Sequence, residues 1–110
     1  MKENGMILGD CLEVLKKIEK STADMIYLDP PFFTQEKQKL VSSKTNREYV
    51  FDDTWDSMKE YLSYMEKRLI QCRRVLKDTG SIFVHCDRNA SHYLKVLMDE
   101  IFGISNFQSE

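Results

Sequence analysis

An α/β fold built on a parallel sheet is predicted by three features of the sequence. Short apolar runs of strand length alternate with segments of helical period. Two of those runs, Met25-Ile26-Tyr27-Leu28 and Ser81-Ile82-Phe83-Val84-His85-Cys86, are apolar at successive central positions, as strands buried on both faces are. Between them lies the longest helical pattern of the chain, the crossover that two parallel strands require. The order read along the chain is β-α-β-loop-α-β-α. The 110 residues are enough for one domain.

Each element has its own warrant. Met6-Ile7-Leu8-Gly9 is an apolar run, read as a strand. Asp10 follows as a helix N-cap, because Cys11, Val14, Leu15 and Ile18 fall on one helical face. Ser21-Thr22 breaks that helix, and the second strand then runs from Met25 to Leu28. Pro30-Pro31 ends the strand by removing two donors and restricting the preceding residues. Residues 33–56 show no clean period and are expected to be a long loop, the kind that is functional or disordered. The next helix is expected over residues 57–77, with Met58, Leu62, Met65, Leu69, Cys72, Val75 and Leu76 as its apolar stripe. Gly80 closes it, and the third strand covers residues 81–86. A last helix is expected over residues 90–102, with Gly103 as its C-cap and a further element starting at Ile104.

Composition excludes several function classes. A formal net charge of −2 argues against nucleic-acid binding by bulk charge alone. Three cysteines with no CxxC spacing give neither a disulfide framework nor a zinc site. His85, Cys86 and Asp87 alternate across a strand and do not converge, so no metal is expected. The first residues carry no signal-peptide pattern, no run approaches a membrane span, and a cytoplasmic location is expected.

In parallel α/β sheets ligands bind at the carboxyl ends of the strands. Here those ends carry Asp10, then Asp29-Pro30-Pro31-Phe32, then Cys86 to Asn89. Asp29-Pro30-Pro31-Phe32 directly after a buried strand resembles the motif of the DNA amino-methyltransferases, which modify adenine N6 or cytosine N4. The resemblance extends to Leu8-Gly9-Asp10, to Asp53-Thr54-Trp55, to Arg73-Arg74-Val75-Leu76-Lys77, to Phe83-Val84-His85-Cys86-Asp87 and to Asp99-Glu100-Ile101-Phe102-Gly103. The order of these motifs is similar to the permuted β-type subgroup, and especially to the modification subunits of type III restriction-modification systems.

The resemblance implies a partial Rossmann-like methyltransferase sheet and S-adenosyl-L-methionine as cofactor. It implies catalytic roles for Asp29, Pro30, Pro31 and Phe32. The exocyclic amine is a poor nucleophile because its lone pair is delocalised into the ring. Two acceptors, the Asp29 carboxylate and the Pro30 carbonyl, localise that lone pair, and the prolines preorganise the carbonyl. Phe32 stacks on the flipped base, a contact worth roughly 1–3 kcal/mol. Asp10 lies near the cofactor adenine, so Asp10 and Asp29 are the implied cofactor-binding residues. The implied partner is double-stranded DNA with a flipped target base, and a complementary C-terminal half or a restriction subunit as partner chain; no membrane is involved.

The chain departs from the family in one respect. Its glycines are Gly5, Gly9, Gly80 and Gly103, so it contains no Phe-x-Gly-x-Gly cofactor loop. Residues 1–110 are therefore expected to be the N-terminal catalytic half of a methyltransferase domain, without the cofactor-loop half or the target-recognition domain, and inactive alone. Asp before Pro-Pro favours adenine N6; cytosine N4, and an inactive remnant or split half, are the alternatives. A ribosomal guanine-N2 enzyme would place the glycine loop upstream, where only 28 residues precede Asp29. Lys37, Lys39, Lys44, Arg47 and Arg88 are the candidate phosphate contacts, with a solvated face as the competing reading. His92 is read as solvated, and Phe51 and Trp55 as packing residues.

Overall fold

The computed structural model describes residues 4–33, 37–41, 48–52 and 57–110, the two short middle stretches as backbone. In chain order the elements are α1 (Cys11–Lys16), β1 (Ala23–Leu28), β2 (Lys37–Val41), β3 (Glu48–Asp52), α2 (Met58–Val75), β4 (Leu76–Val84), α3 (Ser91–Phe102) and a 3-10 turn, Ile104–Asn106. The fold is mixed α/β around a small parallel sheet of two strands, β1 and β4. Parallel strands cannot be joined by a tight turn, and α2 lies in the crossover between them. Among the described residues, no helix is long and apolar enough to cross a membrane.

The ladder pairs Met25 with Ser81, Ile26 with Ile82, Tyr27 with Phe83 and Leu28 with Val84. Its alternation decides the core. Leu28, Ile82 and Val84 pack on the cluster formed by Tyr61, Met65 and Leu69 of α2 with Ala90, Leu94, Leu97 and Ile101. Met25, Tyr27 and Phe83 point the other way and are exposed. Among the described residues the sheet is thus covered on one face only, where the apolar runs lead one to expect cover on both.

Four expectations need correction. Residues 6–9 form no strand; Met6 and Leu8 are fully exposed at 101% and 104%. A run of strand-forming residues becomes a strand only when a ladder satisfies its backbone groups, and no described strand pairs with it. The long loop contains a ladder: β2 and β3 pair antiparallel from Lys37↔Asp52 to Val41↔Glu48. Tyr49, Val50 and Phe51 have high strand propensity, and the polar residues 42–47 that join the strands have turn composition. The helix before β4 stops at Val75 rather than Lys77, because Leu76 is already extended with ψ 134°. It pairs with Ala23, and the register then jumps to Met25↔Ser81, which leaves residues 77–80 as a bulge.

Gly80 consequently lies inside a strand and is not a helix terminator. A Cβ there would stand 2.9 Å from the Asp24 carbonyl oxygen and 2.6 Å from Leu76 Cδ1. Two caps match the expectations better: Asp10 caps α1, and Gly103 (φ 94°) closes α3 by donating to the Asp99 carbonyl at 2.8 Å. The structure adds a third, Ser57, whose Oγ accepts from the Glu60 N–H of α2 at 3.1 Å.

Gly80→Ala forces the Asp24 backbone aside and costs about 1–3 kcal/mol, measured by chemical denaturation. The exposed face of Met25, Tyr27 and Phe83 predicts association that grows with concentration in sedimentation experiments. A sharp, high, strictly monomeric thermal transition would contradict that.

Candidate active site

The last rung of the β1–β4 ladder builds the site. The His85 N–H donates to the Leu28 carbonyl at 2.9 Å, which sets the residue after each strand beside the other. Asp29 and His85 are those residues, and Nδ1 of His85 lies 3.3 Å from Oδ1 of Asp29. Both side chains are exposed, so the contact orients more than it stabilises. Phe32 meets the His85 ring edge-on, with centroids 5.2 Å apart.

The segment after β1 is held from below. The Tyr61 hydroxyl donates to the Pro31 carbonyl at 3.0 Å, and its ring lies 5.6 Å from that of Phe33. Tyr61 is fully buried, and burial pushes its hydroxyl up to about 12, so it stays protonated and donates. The Asn89 amide reaches the Phe33 carbonyl at 3.5 Å and also donates to Asp87 Oδ2 at 3.2 Å. Asp87 Oδ1 is buried without a hydrogen-bond partner among the described residues. Burial also pushes the neighbouring Cys86 thiol up, which keeps it protonated and a poor nucleophile.

Asp10 stands on the other wall. Its Oδ1 accepts the Leu12 N–H at 3.0 Å, and Nη2 of Arg68 reaches Oδ1 at 3.0 Å and Oδ2 at 2.9 Å. The Leu12 N–H above all holds the Asp10 carboxyl below its ordinary value; desolvation comes next and opposes it, and the Arg68 guanidinium adds a further lowering. The Arg68 guanidinium lies 3.5 Å over the Tyr64 ring and donates to the Tyr64 carbonyl at 3.1 Å. A cleft of about 430 Å³ opens between Gly9, Asp10 and Cys11 on one side, Leu28 to Pro31 on another, and Tyr64, Met65 and Arg68 as its floor. Asp10, Asp29, Pro30 and Pro31, named from the sequence, therefore line one cavity.

Other sequence candidates fall elsewhere. Lys37 and Lys39 lie on β2, where only the backbone is described, and Phe51 likewise on β3; Lys44, Arg47 and the segment 53–56 with Trp55 lie outside the described residues. Arg88 is exposed in the turn before α3, and His92 is exposed on α3. Among the described residues no three potential ligands gather as a metal site. Sequence reasoning missed Arg68, Tyr61, Tyr64 and the pairing of His85 with Asp29. A signal for Arg68 existed: it falls three residues after Met65 and four before Cys72, on the apolar stripe, where a charge needs a partner.

Comparison with known proteins adds a second line. The family model described as DNA methylase, for N6 and N4 enzymes, matches residues 23–110. Type II methyltransferase M.HinfI of Haemophilus influenzae is 42% identical over 84 residues, covering 74% of this chain and 23% of its own length. Type II methyltransferase M.KpnI of Klebsiella pneumoniae is 36% identical over 107 residues, covering 94% of this chain and 25% of its own. The Mod subunit of the type III restriction-modification enzyme StyLTI of Salmonella typhimurium is 34% identical over 124 residues, covering 94% and 19%. The chain thus spans about a quarter or less of the length of these relatives.

Tyr61→Phe removes the donor to the Pro31 carbonyl while keeping the ring. It should lower stability by about 1–2 kcal/mol and loosen residues 29–33, read as faster amide exchange there.

Proposed function

The chain belongs to the N6/N4 DNA methylase family, and on that premise we propose that it carries the catalytic face of an S-adenosylmethionine-dependent DNA methyltransferase acting on adenine N6. The observation that carries this reading is the cleft in which Asp29-Pro30-Pro31, at the carboxyl end of β1, faces Asp10. A half-exposed carboxylate beside aromatic and apolar walls suits an adenosine, and the residues present fit the cofactor in that respect. Asp10 and Asp29 would hold it. When bound, S-adenosylmethionine supplies an electrophilic methyl group on a sulfonium.

The chain's own residues do the rest. Asp29 Oδ and the Pro30 carbonyl each accept one N–H of the exocyclic amine, which concentrates the lone pair on nitrogen for attack on the methyl carbon. The Asp29 carboxylate would offset the positive charge that builds on the amine and would pass its surplus proton to solvent. Pro30 and Pro31 fix the dihedrals that aim the carbonyl, and Tyr61 holds the Pro31 end. Phe32 supplies the stacking face for a flipped base, and Arg88 and the lysines of β2 are the candidates for phosphate contact.

In this reading residues 1–110 are the catalytic half of a cytoplasmic methyltransferase. The glycine-rich cofactor loop belongs to a complementary half. DNA is the partner, with the further chain of a restriction-modification enzyme beside it.

The test is transfer of a tritiated methyl group to unmethylated DNA by the protein expressed from its native gene, followed by nucleoside chromatography. N6-methyladenine is the expected product, and Asp29→Ala should lower kcat about 10²–10³-fold with little change in DNA affinity. N4-methylcytosine would correct the target base. An active Asp29→Ala variant, or a protein that neither binds S-adenosylmethionine nor methylates DNA, would overturn the reading.

A further inference from the structure

Asp10 poses a question of positioning. It ends a segment that no described strand pairs with, and its side chain is half exposed, so the sheet does not hold it. Its carboxylate is nevertheless fixed, by the Leu12 N–H and by Arg68. Arg68 is 91% buried by side-chain area, its exposure being 9%. Its Nη1 donates to the Tyr64 carbonyl of its own helix, its guanidinium carbon lies 3.5 Å from the Tyr64 ring centroid, and its Nε is buried with no hydrogen-bond partner among the described residues. The guanidinium is thus held by α2 in its own right and presented to Asp10, a preorganised fork rather than a flexible charge.

A structural role alone accounts poorly for it. Position 68 lies among Met65, Leu69 and Cys72, where an apolar residue of similar volume packs as well or better than a buried ion pair. Nor is Arg68 needed to dock α1, because Arg74 already grips it: Nη2 of Arg74 donates to the Leu15 and Ile18 carbonyls, each at 2.7 Å. What Arg68 does, and Arg74 does not, is reach the carboxylate.

We propose that Arg68 is a positioning residue for the cofactor: it orients the Asp10 carboxylate on the cleft wall so that one acceptor position remains for a single N–H or O–H donor of the adenosine. The inference rests on the cofactor reading of the cleft given above. The acceptor count is simple. A carboxylate offers about four lone-pair positions. Among the described residues Oδ1 receives the Leu12 N–H and Arg68, and Oδ2 receives Arg68, which leaves one position on Oδ2. A carboxylate with one open position in a set orientation selects for one donor. A free carboxylate would turn and solvate.

The experiment measures S-adenosylmethionine affinity by calorimetry for the protein expressed from its native gene and for Arg68→Met, Arg68→Lys, Asp10→Asn and the double variant Asp10→Asn/Arg68→Met. Arg68→Met should weaken binding about tenfold, and Asp10→Asn by a similar factor. The double variant should bind no worse than Asp10→Asn, because a residue that acts through Asp10 has nothing left to act on. Arg68→Lys keeps the charge without the fork and should fall between parent and Arg68→Met. In parallel, the Asp10 carboxyl is titrated by NMR without cofactor; it should titrate higher in Arg68→Met than in the parent, because the Arg68 charge and hydrogen bond both lower it.

Parent-like binding by both Arg68 variants overturns the inference alone, as does a further tenfold loss in the double variant, which marks a general structural effect. An Asp10 titration unmoved in Arg68→Met overturns it, and where Arg68→Met proves unstable, parent-like cofactor binding by Arg68→Lys overturns it instead. A parent that binds no S-adenosylmethionine while its Asp10 responds to Arg68 overturns the functional reading itself, and the ligand half of this inference with it.

Discussion

The hydrogen bond from the His85 N–H to the Leu28 carbonyl closes the parallel ladder, and the positions of Asp29, Phe32 and His85 follow from that closure. With Leu28 opposite Val84, the chain leaves both strands at the same end of the sheet. Asp29 and His85 emerge side by side there, and Phe32 turns back onto His85. A slip of the pairing by one residue would send Leu28 and Val84 to the open face and separate Asp29 from its neighbour. The bulge at residues 77–80 and the close approach at Gly80 are how β4 reaches that register after starting straight from α2.

Helix α2 then serves two walls of the cleft with one face. Tyr61 carries its hydroxyl to the Pro31 carbonyl, and seven residues on Arg68 carries its guanidinium to Asp10. Two helical turns separate these residues, so they lie on one line along the helix. Met65 and Tyr64 between them form the floor. The same buried stripe that packs the sheet therefore aims the polar groups, and the site is as rigid as the core beneath it. Arg74, one and a half turns further, holds the far end of α1.

The one-sided sheet fits a chain that spans a quarter or less of its relatives. Parallel sheets in α/β proteins are covered on both faces, and Met25, Tyr27 and Phe83 have the composition of a covered face without the cover. The segment 6–9 has a strand's composition without a strand's partner. Both are local sequences written for a larger set of contacts. For the same reason the expected strand before Asp10 failed, while the cap it leads into held: a cap needs only its own helix.

By itself the sequence determined what depends on neighbours along the chain. Asp10 and Gly103 were legible as caps because a cap is satisfied within one turn. β1 and the centre of β4 were legible from their apolar runs, and Asp29-Pro30-Pro31 was legible as the end of β1, where ligands bind in parallel α/β sheets. Only the tertiary structure decided that Asp10 and Asp29, nineteen positions apart, share a cleft, and that Arg68, Tyr61 and His85 serve them. Those contacts span up to 58 residues. They depend on the register of β1 with β4 and on which face α2 turns inward, and neither is encoded in any short stretch of chain.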